Sequence, residues 1–202
     1  MMDVPPKNSL ESHPLNLTAL FKKDLVALKG FFSEEVLSLV ENNIDFLMKD
    51  YVAWQRALVA MTKNLGVKYD SIAILFNKKS EIMICKRSSN KKTYPNKITS
   101  SAGGHVEQGE SYKAAAIREL KEELGIKAFL KDLGRFNVIT SKERTIHHLF
   151  MGKVNKKVSA DPNEIASYYF SPLKTIKSDI ALHPRKYAKP FHEAFKCYLK
   201  YI

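Results

Sequence analysis

The 202-residue chain contains only two cysteines, Cys85 and Cys197, which are too few for the disulfide framework of a small secreted domain. We therefore expect reduced thiols in a cytoplasmic protein, with Cys85 buried in the apolar run EIMIC. No apolar run reaches the roughly 20 residues that a membrane-spanning helix needs, and the start MMDVPPKNSL is unlike a signal peptide. Internal repeats and low-complexity segments are also absent. The length allows one domain with an extension, or two small domains.

Acidic residues are the minority charge: 21 Asp and Glu stand against 33 Lys and Arg, giving a net charge of +12. The basic excess lies in residues 68–202, whereas residues 1–67 are close to neutral. A positive field favours an anionic ligand such as a diphosphate or a nucleic acid. The sequence has no dense Lys/Arg run interleaved with aromatic residues, which disfavours a dedicated nucleic-acid module without excluding nucleic acid as a partner.

Three regions differ in their residue patterns. Residues 1–16 are proline-rich and poor in apolar residues, which predicts a disordered tail. Residues 17–67 show three amphipathic helical patterns and are predicted to form a helical extension. We expect this extension to pack on the rest of the chain, and covering the active site or forming a homodimer face are the alternatives. Residues 68–202 change to a β-rich pattern and are predicted to form the catalytic domain.

Within residues 68–202, β-rich runs lie on both sides of one long helical pattern, which implies α/β layering. A hairpin signal, Asn77–Ser80, joins the first two runs. Two adjacent histidines, His147 and His148, lie in a later run, so we expect one to face inward and one outward. The predicted elements are strands at Ser71–Asn77, Glu81–Arg87, Ala128–Thr140, Thr145–Val154 and Ile165–Phe170, and a last helix from Pro190.

The most informative stretch is Ser101–Ile126, which reads SAGGHVEQGESYKAAAIRELKEELGI. Its glycine-rich first half predicts a loop whose backbone can approach a ligand closely. Ser111 is a favourable N-cap, residues 112–124 form a good helical pattern, and Gly125 is a favourable C-cap. The stretch therefore predicts a loop that leads directly into a capped helix.

Two sets of residues recur along this helix at steps of three and four. The apolar set, predicted to face the core, is Ile117, Leu120 and Leu124, and the acidic set, predicted to lie on roughly the opposite face, is Glu119, Glu122 and Glu123. Carboxylates this close repel one another, and Arg118 alone cannot balance them together with the nearby Glu110. A hard divalent cation such as Mg²⁺ can, because it takes oxygen ligands and keeps waters for a phosphate substrate.

The spacing resembles the Nudix box: Gly, five residues, Glu, seven residues, Arg-Glu-aliphatic, any residue, Glu-Glu, any residue, Gly-aliphatic. The positions that match are Gly104, Glu110, Arg118, Glu119, Leu120, Glu122, Glu123, Gly125 and Ile126. The resemblance covers about residues 68–180. It implies an α/β/α sandwich around a mixed sheet and the hydrolysis of a diphosphate linkage with Mg²⁺, or with Mn²⁺ in its place.

Roles follow from this resemblance. Glu122 and Glu123 would be the principal metal ligands, Glu119 a further ligand or the general base, and the Gly103 carbonyl another ligand. Arg118 would orient the glutamates. The remaining box positions with an implied structural role are Glu110, which would brace the loop, and the glycines Gly104 and Gly125.

Other candidate site residues lie outside the matched positions of the box. Glu164 is the candidate for a downstream acidic residue that acts as base or extra metal ligand, and a solvated loop carboxylate is an equal alternative. His105 in the loop is a candidate substrate contact. The aromatic run 168–170 has two interpretations, stacking against a base or, preferred here, alternating burial along a strand.

The segment KRSSNKKTYPNKITSSAGGH resembles the corresponding region of isopentenyl-diphosphate isomerases, a branch that shares the Nudix fold. The comparison makes Lys86, Arg87 and Lys92 plausible phosphate contacts. The position of the isomerases' cysteine is interpreted here as a serine, Ser100 or Ser101, and the box is complete, so both features favour hydrolysis over isomerisation.

We therefore expect a metal-dependent hydrolase of a small organic diphosphate, and we expect this diphosphate to be linked to a nucleoside. Three alternatives stay open: an isomerase of isoprenyl diphosphates, a hydrolase of RNA 5′ ends, and a non-enzymatic binding module. The last is opposed by the intact set of carboxylates, since binding alone does not need them all.

Overall fold

The computed structural model describes residues 68–139 and 144–202, together with the isolated helical positions Glu34, Ser38 and Asn42. The predicted disordered tail and, apart from these three positions, the predicted helical extension lie outside the described residues. The described part contains seven strands and three α-helices. In chain order they are β1 Lys68–Phe76, β2 Ile82–Arg87, β3 Ile98–Thr99, β4 Ala102–His105, α1 Tyr112–Leu124, β5 Leu130–Ile139, β6 Arg144–Lys153, β7 Ile165–Ser171, α2 Leu173–Leu182 and α3 Lys189–Tyr201.

The strands form one mixed sheet in which β1 is central. One edge of β1 pairs in parallel with β6 along its whole length. The other edge is shared between β4, near the start of β1, and β2, at its end, both antiparallel. Beyond these, β5 pairs with β6, and β2 pairs with both β3 and β7.

Helices cover both faces of β1. Successive strand residues point to opposite faces, and the ring of Tyr69 contacts Tyr112 of α1, with centroids 5.9 Å apart. Ile72, of opposite parity, belongs to the apolar cluster that contains Phe191 and Phe195 of α3. The sheet thus lies between α1 and α3, and the α/β/α sandwich with a mixed sheet is confirmed.

The sheet opens between β1 and β2, and Ser101 bridges the opening. Its hydroxyl accepts a hydrogen bond from Leu75 N (2.8 Å) and donates one to Met83 O (3.0 Å). Because the chain crosses from β2 to β1 at this residue, β3 pairs with β2 and the following strand β4 pairs with β1. The glycines of β4 are thereby placed beside α1.

The longer elements agree with their predicted ranges to within a few residues, and α1 is confirmed together with both caps. Ser111 accepts a hydrogen bond from Ala114 N, and Gly125 adopts the left-handed conformation with φ 65°. The short strands β3 and β4 and the helix α2 were not predicted. In α2 the apolar stripe is short: Leu173, Ile176 and Ile180 pack on the core, and only Ile176 is fully buried.

One prediction about the strands is wrong. His147 and His148 point to opposite faces, but both are buried, at 1% and 0% exposure. The reason is that the β6 segment is covered on both sides: His147 stacks on Phe136 and His148 contacts Tyr112 of α1. An alternating strand has an outward face only where nothing covers it.

Within the described ranges, no helix is both long enough and apolar enough to cross a membrane.

Candidate active site

Helix α1 presents its glutamates differently from the prediction. Its packed face comprises Tyr112, Ala115, Ala116, Leu120, Glu123 and Leu124, whereas Ile117 is only partly buried. Glu123 therefore lies on the packed face and not opposite to it. Around the helix axis, Glu123 lies close to the buried Tyr112 and Ala116, and the packed side of α1 faces β4, whose Gly103 N donates to Glu123.

Glu123 is the most deeply buried acid of the box, at 7% exposure. Its Oε2 accepts a hydrogen bond from Gly103 N at 3.2 Å. Burial, followed by repulsion from Glu119 and Glu164, outweighs this bond and raises the pKa of Glu123 to about 8. The charge of Arg87 lowers the pKa of Glu123 but compensates this carboxylate only in part.

Glu119 packs directly on Gly104. A Cβ added to Gly104 would lie 2.2 Å from Glu119 Oε1, so only glycine fits without moving the carboxylate. Burial raises the pKa of Glu119, and the neighbouring Arg118 opposes the shift only in part. Gly104 therefore allows a second carboxylate to lie beside Glu123.

Arg118 binds three glutamates and the loop backbone at once. Nη1 donates to Glu119 Oε1 (2.6 Å) and to Glu122 Oε2 (3.2 Å). Nε and Nη2 donate to the two carboxylate oxygens of Glu110 (3.2 and 3.1 Å), and Nη2 also donates to His105 O (2.8 Å). Hydrogen bonds to Glu110, the strongest of these influences, raise the pKa of Arg118. These contacts are the ones that an orienting role requires.

Glu110 braces the loop between β4 and α1. Besides binding Arg118, its Oε2 accepts a hydrogen bond from Glu107 N at 3.1 Å, and its own N–H donates to Glu107 O at 3.0 Å. The imidazole of His105 bonds through Nδ1 to Asp70, a contact that raises the pKa of His105. A role of His105 in binding substrate stays a prediction.

Glu164 is brought to the box by the loop that precedes β7. This loop docks on the end of α1, where Ser159 N donates to Leu124 O (3.0 Å) and Asp161 N donates to Glu123 O (2.9 Å). The charge of Glu164 acts on both Glu119 and Glu123, raising their pKa values. The structure therefore places Glu164 beside the box carboxylates, as a base or an extra ligand requires.

The three predicted phosphate contacts are not placed alike. Arg87 shares a face of β2 with Cys85, lowers the pKa of Glu123, and donates from Nε to Thr93 O at 3.0 Å. Lys86 alternates to the opposite face, so the structure does not bring it beside the carboxylates. Lys92 is exposed on the loop after β2. A fourth residue, Lys91, forms an ion pair with Glu164 and was not identified from the sequence, because nothing local distinguishes it from Lys92.

The preferred interpretation of residues 168–170 is wrong. Tyr168 and Tyr169 are adjacent in β7, yet they are 38% and 45% exposed, so burial does not alternate. The physical reason is that β7 has β2 as its one strand partner in the described sheet. Tyr168 pairs with Cys85 and thus faces the same side of the sheet as Arg87.

Cys85 behaves as a buried core residue, as expected. Its Sγ lies 3.2 Å from Ser101 O as a donor, and burial, followed by repulsion from Glu123, raises the pKa of its thiol. Both serines at the position compared with the isomerase cysteine, Ser100 and Ser101, are buried, at 3% and 0% exposure.

The oxygen donors suit a hard divalent cation. Across residues 68–139 and 144–202, no three His, Cys, Asp or Glu side chains are preformed as a ligand set. Three of the carboxylates are instead turned to Arg118. Glu119 and Glu123, both with raised pKa values, mark a position where two ionised carboxylates need a cation to neutralise them. The residues present therefore fit Mg²⁺ or Mn²⁺.

Comparison with known proteins agrees with the fold and the box. Residues 68–193 match the family model described as the NUDIX domain, so the chain belongs to the Nudix family. The structure of a MutT protein from Methanosarcina mazei is similar, with a TM-score of 0.58 and 25% identity over 66% of this chain and 94% of that one.

Among relatives, an uncharacterized Nudix hydrolase of Pseudomonas aeruginosa is 32% identical, over 62% of this chain and 74% of its own. An isopentenyl-diphosphate Delta-isomerase of Citrobacter koseri is 29% identical, over 54% of this chain and 65% of its own. A prenyl-diphosphate phosphatase of Methanosarcina mazei is 28% identical, over 59% and 72%. The match thus spans less than two thirds of the isomerase.

Proposed function

We propose that this protein is a divalent-metal-dependent hydrolase that cleaves the diphosphate linkage of a small organic diphosphate. The observation that carries the proposal is the placement of Glu119 and Glu123 against the Gly103–Gly104 backbone, with the pKa of Glu123 raised to about 8. A buried and uncompensated carboxylate destabilises the fold. As a ligand of Mg²⁺, or of Mn²⁺, the same carboxylate would be neutralised and useful.

The proposed ligands are the box carboxylates Glu119, Glu122 and Glu123 and the carbonyl of Gly103. A metal bound there supplies charge neutralisation on the phosphoryl oxygens and lowers the pKa of a bound water. Glu164 or Glu119 would accept the proton from that water as it attacks phosphorus. Arg118 fixes the carboxylates through the contacts described above.

Phosphate binding is assigned to the basic residues at the end of β2 and in the loop that follows it. Arg87 is on the correct face and already influences Glu123, so it is the strongest of the three predicted contacts. Its planar guanidinium can bind two phosphate oxygens at once. Lys92 is retained as a second contact from the adjacent loop, and Lys86 is the weakest candidate because it lies on the other face of β2.

The organic group is either a prenyl chain or a nucleoside. The sequence led us to expect a nucleoside-linked substrate. The relative named a prenyl-diphosphate phosphatase, 28% identical, makes prenyl diphosphates the first compounds to examine. Tyr168, exposed on the side of Arg87, would contact either group.

The test is a screen of the pure, full-length protein with Mg²⁺ in water enriched in ¹⁸O. Geranyl, farnesyl and isopentenyl diphosphates, ADP-ribose, dinucleoside polyphosphates and nucleoside triphosphates are incubated separately, and products are weighed by mass spectrometry. Hydrolysis introduces one ¹⁸O into a phosphate-containing product, and E123Q should abolish it. Failure to cleave any of these diphosphates would refute the proposal.

An isomerase is the second candidate because of the 29% identity to an isopentenyl-diphosphate isomerase. It predicts a product of unchanged mass and no ¹⁸O in phosphate, so the same screen separates the two reactions. Hydrolysis of RNA 5′ ends, suggested by the net charge of +12, predicts RNA binding that weakens steeply with salt.

A further inference from the structure

Lys91 and Glu164 form an ion pair between two loops beside the box. Lys91 Nζ binds Glu164 Oε2, with the two side chains 27% and 30% exposed. The loops meet because Ser88 N donates to Glu164 O at 3.0 Å and Arg87 pairs with Ile165 across β2 and β7. Lys91 is itself held in a turn, its N–H donating to Ser88 O at 3.3 Å.

Each partner of this pair has a use elsewhere in the proposed reaction. Glu164 acts electrostatically on Glu119 and Glu123, so its carboxylate lies within reach of the proposed metal position. A general base needs a lone pair directed at the attacking water. While the carboxylate of Glu164 binds the ammonium of Lys91, that carboxylate does not accept a proton from water, and Lys91 does not bind the substrate.

We propose that a bound diphosphate exchanges this pair: Lys91 transfers from Glu164 to a substrate phosphate, and Glu164 is released toward the box carboxylates. The inference rests on the proposed function and deepens it, by naming a phosphate-binding lysine and the event that frees Glu164. A diphosphate carries more negative charge than one carboxylate, and the flexible stem of lysine lets its ammonium follow that charge. No bond is made or broken in this step.

The exposure of the pair makes the exchange feasible. Ion pairs that keep contact with water contribute little net stability, since water solvates both partners when they separate. A fully buried pair would resist opening because each separated charge would lose its only compensation. The pair is therefore strong enough to set a resting contact and weak enough to yield to a doubly phosphorylated ligand.

The exchange predicts that Glu164 competes with the ligand for Lys91. Methylenebisphosphonate, whose P–C–P bridge resists hydrolysis, is the probe, and its affinity is measured by calorimetry at fixed Mg²⁺. Wild type, K91M, E164Q and the double variant form a cycle, in which any effect of Glu164 on metal binding cancels. K78M, which alters an exposed lysine of the turn between β1 and β2, is the matched control, and K91R should retain binding if the charge is what matters.

K91M should weaken binding about ten-fold, the loss expected for a charge-assisted contact, and K78M should weaken it by less than about two-fold. The effect of E164Q should be at least about three-fold more favourable in the wild-type background than in the K91M background, a typical coupling for residues in contact. Thermal unfolding checks that all variants are folded.

Three results would overturn the exchange: wild-type affinity in K91M, an equal loss in K78M, or an E164Q effect that is the same in both backgrounds. If the wild-type protein binds the probe and hydrolyses a diphosphate, any of these results refutes the exchange and leaves the proposed function intact. Wild-type protein that neither binds the probe nor cleaves any diphosphate refutes the proposed function instead.

Discussion

Two acids on the α1 side of the sheet, Asp132 and Glu123, have pKa values that are shifted in opposite directions. Asp132 bonds to His148 Nε2 at 2.6 Å, and Arg135 Nε lies 3.4 Å from the other ring nitrogen of that histidine. Although burial opposes ionisation, His148, the Gly134 amide and Arg135 hold the pKa of Asp132 below its ordinary value. For Glu123 burial prevails, and its pKa rises to about 8.

The difference separates a structural acid from a functional one. The interactions of Asp132 are completed within the chain, whereas burial outweighs those of Glu123, and in the proposed function an external cation completes them. Buried charges are normally paired because an isolated one destabilises the fold. An acid left without sufficient compensation is a candidate functional group for that reason.

The largest expected effect is on turnover. E123Q and E122Q should each lower the rate at least about 100-fold. Each variant removes a proposed ligand of the metal ion whose charge would stabilise the transition state. E107Q, which alters an exposed glutamate of the loop before α1, is the control and should leave the rate unchanged. Steady-state kinetics on the substrate found by the screen is the measurement, and full activity in E123Q and E122Q would remove the metal site.

Replacement of the structural acid should give the converse result. D132N leaves His148 and Arg135 without their anionic partner in a buried position, so the free energy of unfolding should fall by about 3 kcal/mol. The rate per folded molecule should change little, since Asp132 touches no proposed ligand. Urea unfolding combined with kinetics measures both. A large loss of rate without loss of stability would place Asp132 in the active site.

The two acids should also respond to pH in opposite directions. The raised pKa of Glu123 means that its contribution to stability is full below about 4.5 and is lost as pH rises through about 8. The metal-free protein should therefore become less stable between pH 5 and 8, by up to about 4 kcal/mol. Asp132, with a lowered pKa, contributes above its unfolded value and loses its contribution in acid.

Thermal unfolding in EDTA from pH 5 to 8.5 measures this dependence. E123Q should make the curve shallower, because it removes the group whose pKa is raised to about 8, while Glu119 and His105, also with raised pKa values, continue to titrate. E122Q is the matched control, since Glu122 is 57% exposed, and it should preserve the wild-type slope. If thermal stability depends on pH as steeply in E123Q as in the wild-type protein, the effect belongs to another group.

The sequence predicted those features that short-range chemistry determines. Helix α1 was predicted with its bounds because Ser111 and Gly125 cap it locally. The longer strands were predicted from alternating or continuous apolar runs. The contact of Arg118 with Glu122 was predicted from their four-residue spacing, whereas the orienting role of Arg118 came from the resemblance to the Nudix box.

Features that depend on docking were not predicted. Glu123 lies on the packed face beside Tyr112 and Ala116, and its hydrogen bond from Gly103 N depends on the docking of β4 beside α1. His147 and His148 are both buried because helices and neighbouring strands cover both faces of the sheet. The pair Lys91–Glu164 joins residues 73 positions apart, and no local pattern selects Lys91 over Lys92.

The smallest expected effect comes from the glycine beneath Glu119. G104A places a methyl group 2.2 Å from the present position of Glu119 Oε1, so the carboxylate must move, and we expect a loss of Mg²⁺ affinity of about ten-fold. G109A is the control: its added Cβ meets open space, but its φ of +81° makes alanine unfavourable, so it should cost about 1 kcal/mol of stability with unchanged Mg²⁺ affinity.

The central claim, that Glu123 requires a cation, is tested most directly by counting protons. At pH 7 an acid with a pKa of about 8 is mostly protonated, so binding of Mg²⁺ must displace that proton. Calorimetric titration with Mg²⁺ in two buffers of different ionisation enthalpy should report the release of about one proton per ion by the wild-type protein and none by E123Q. Mg²⁺ binding with no proton released, or the same release from E123Q, would contradict the account.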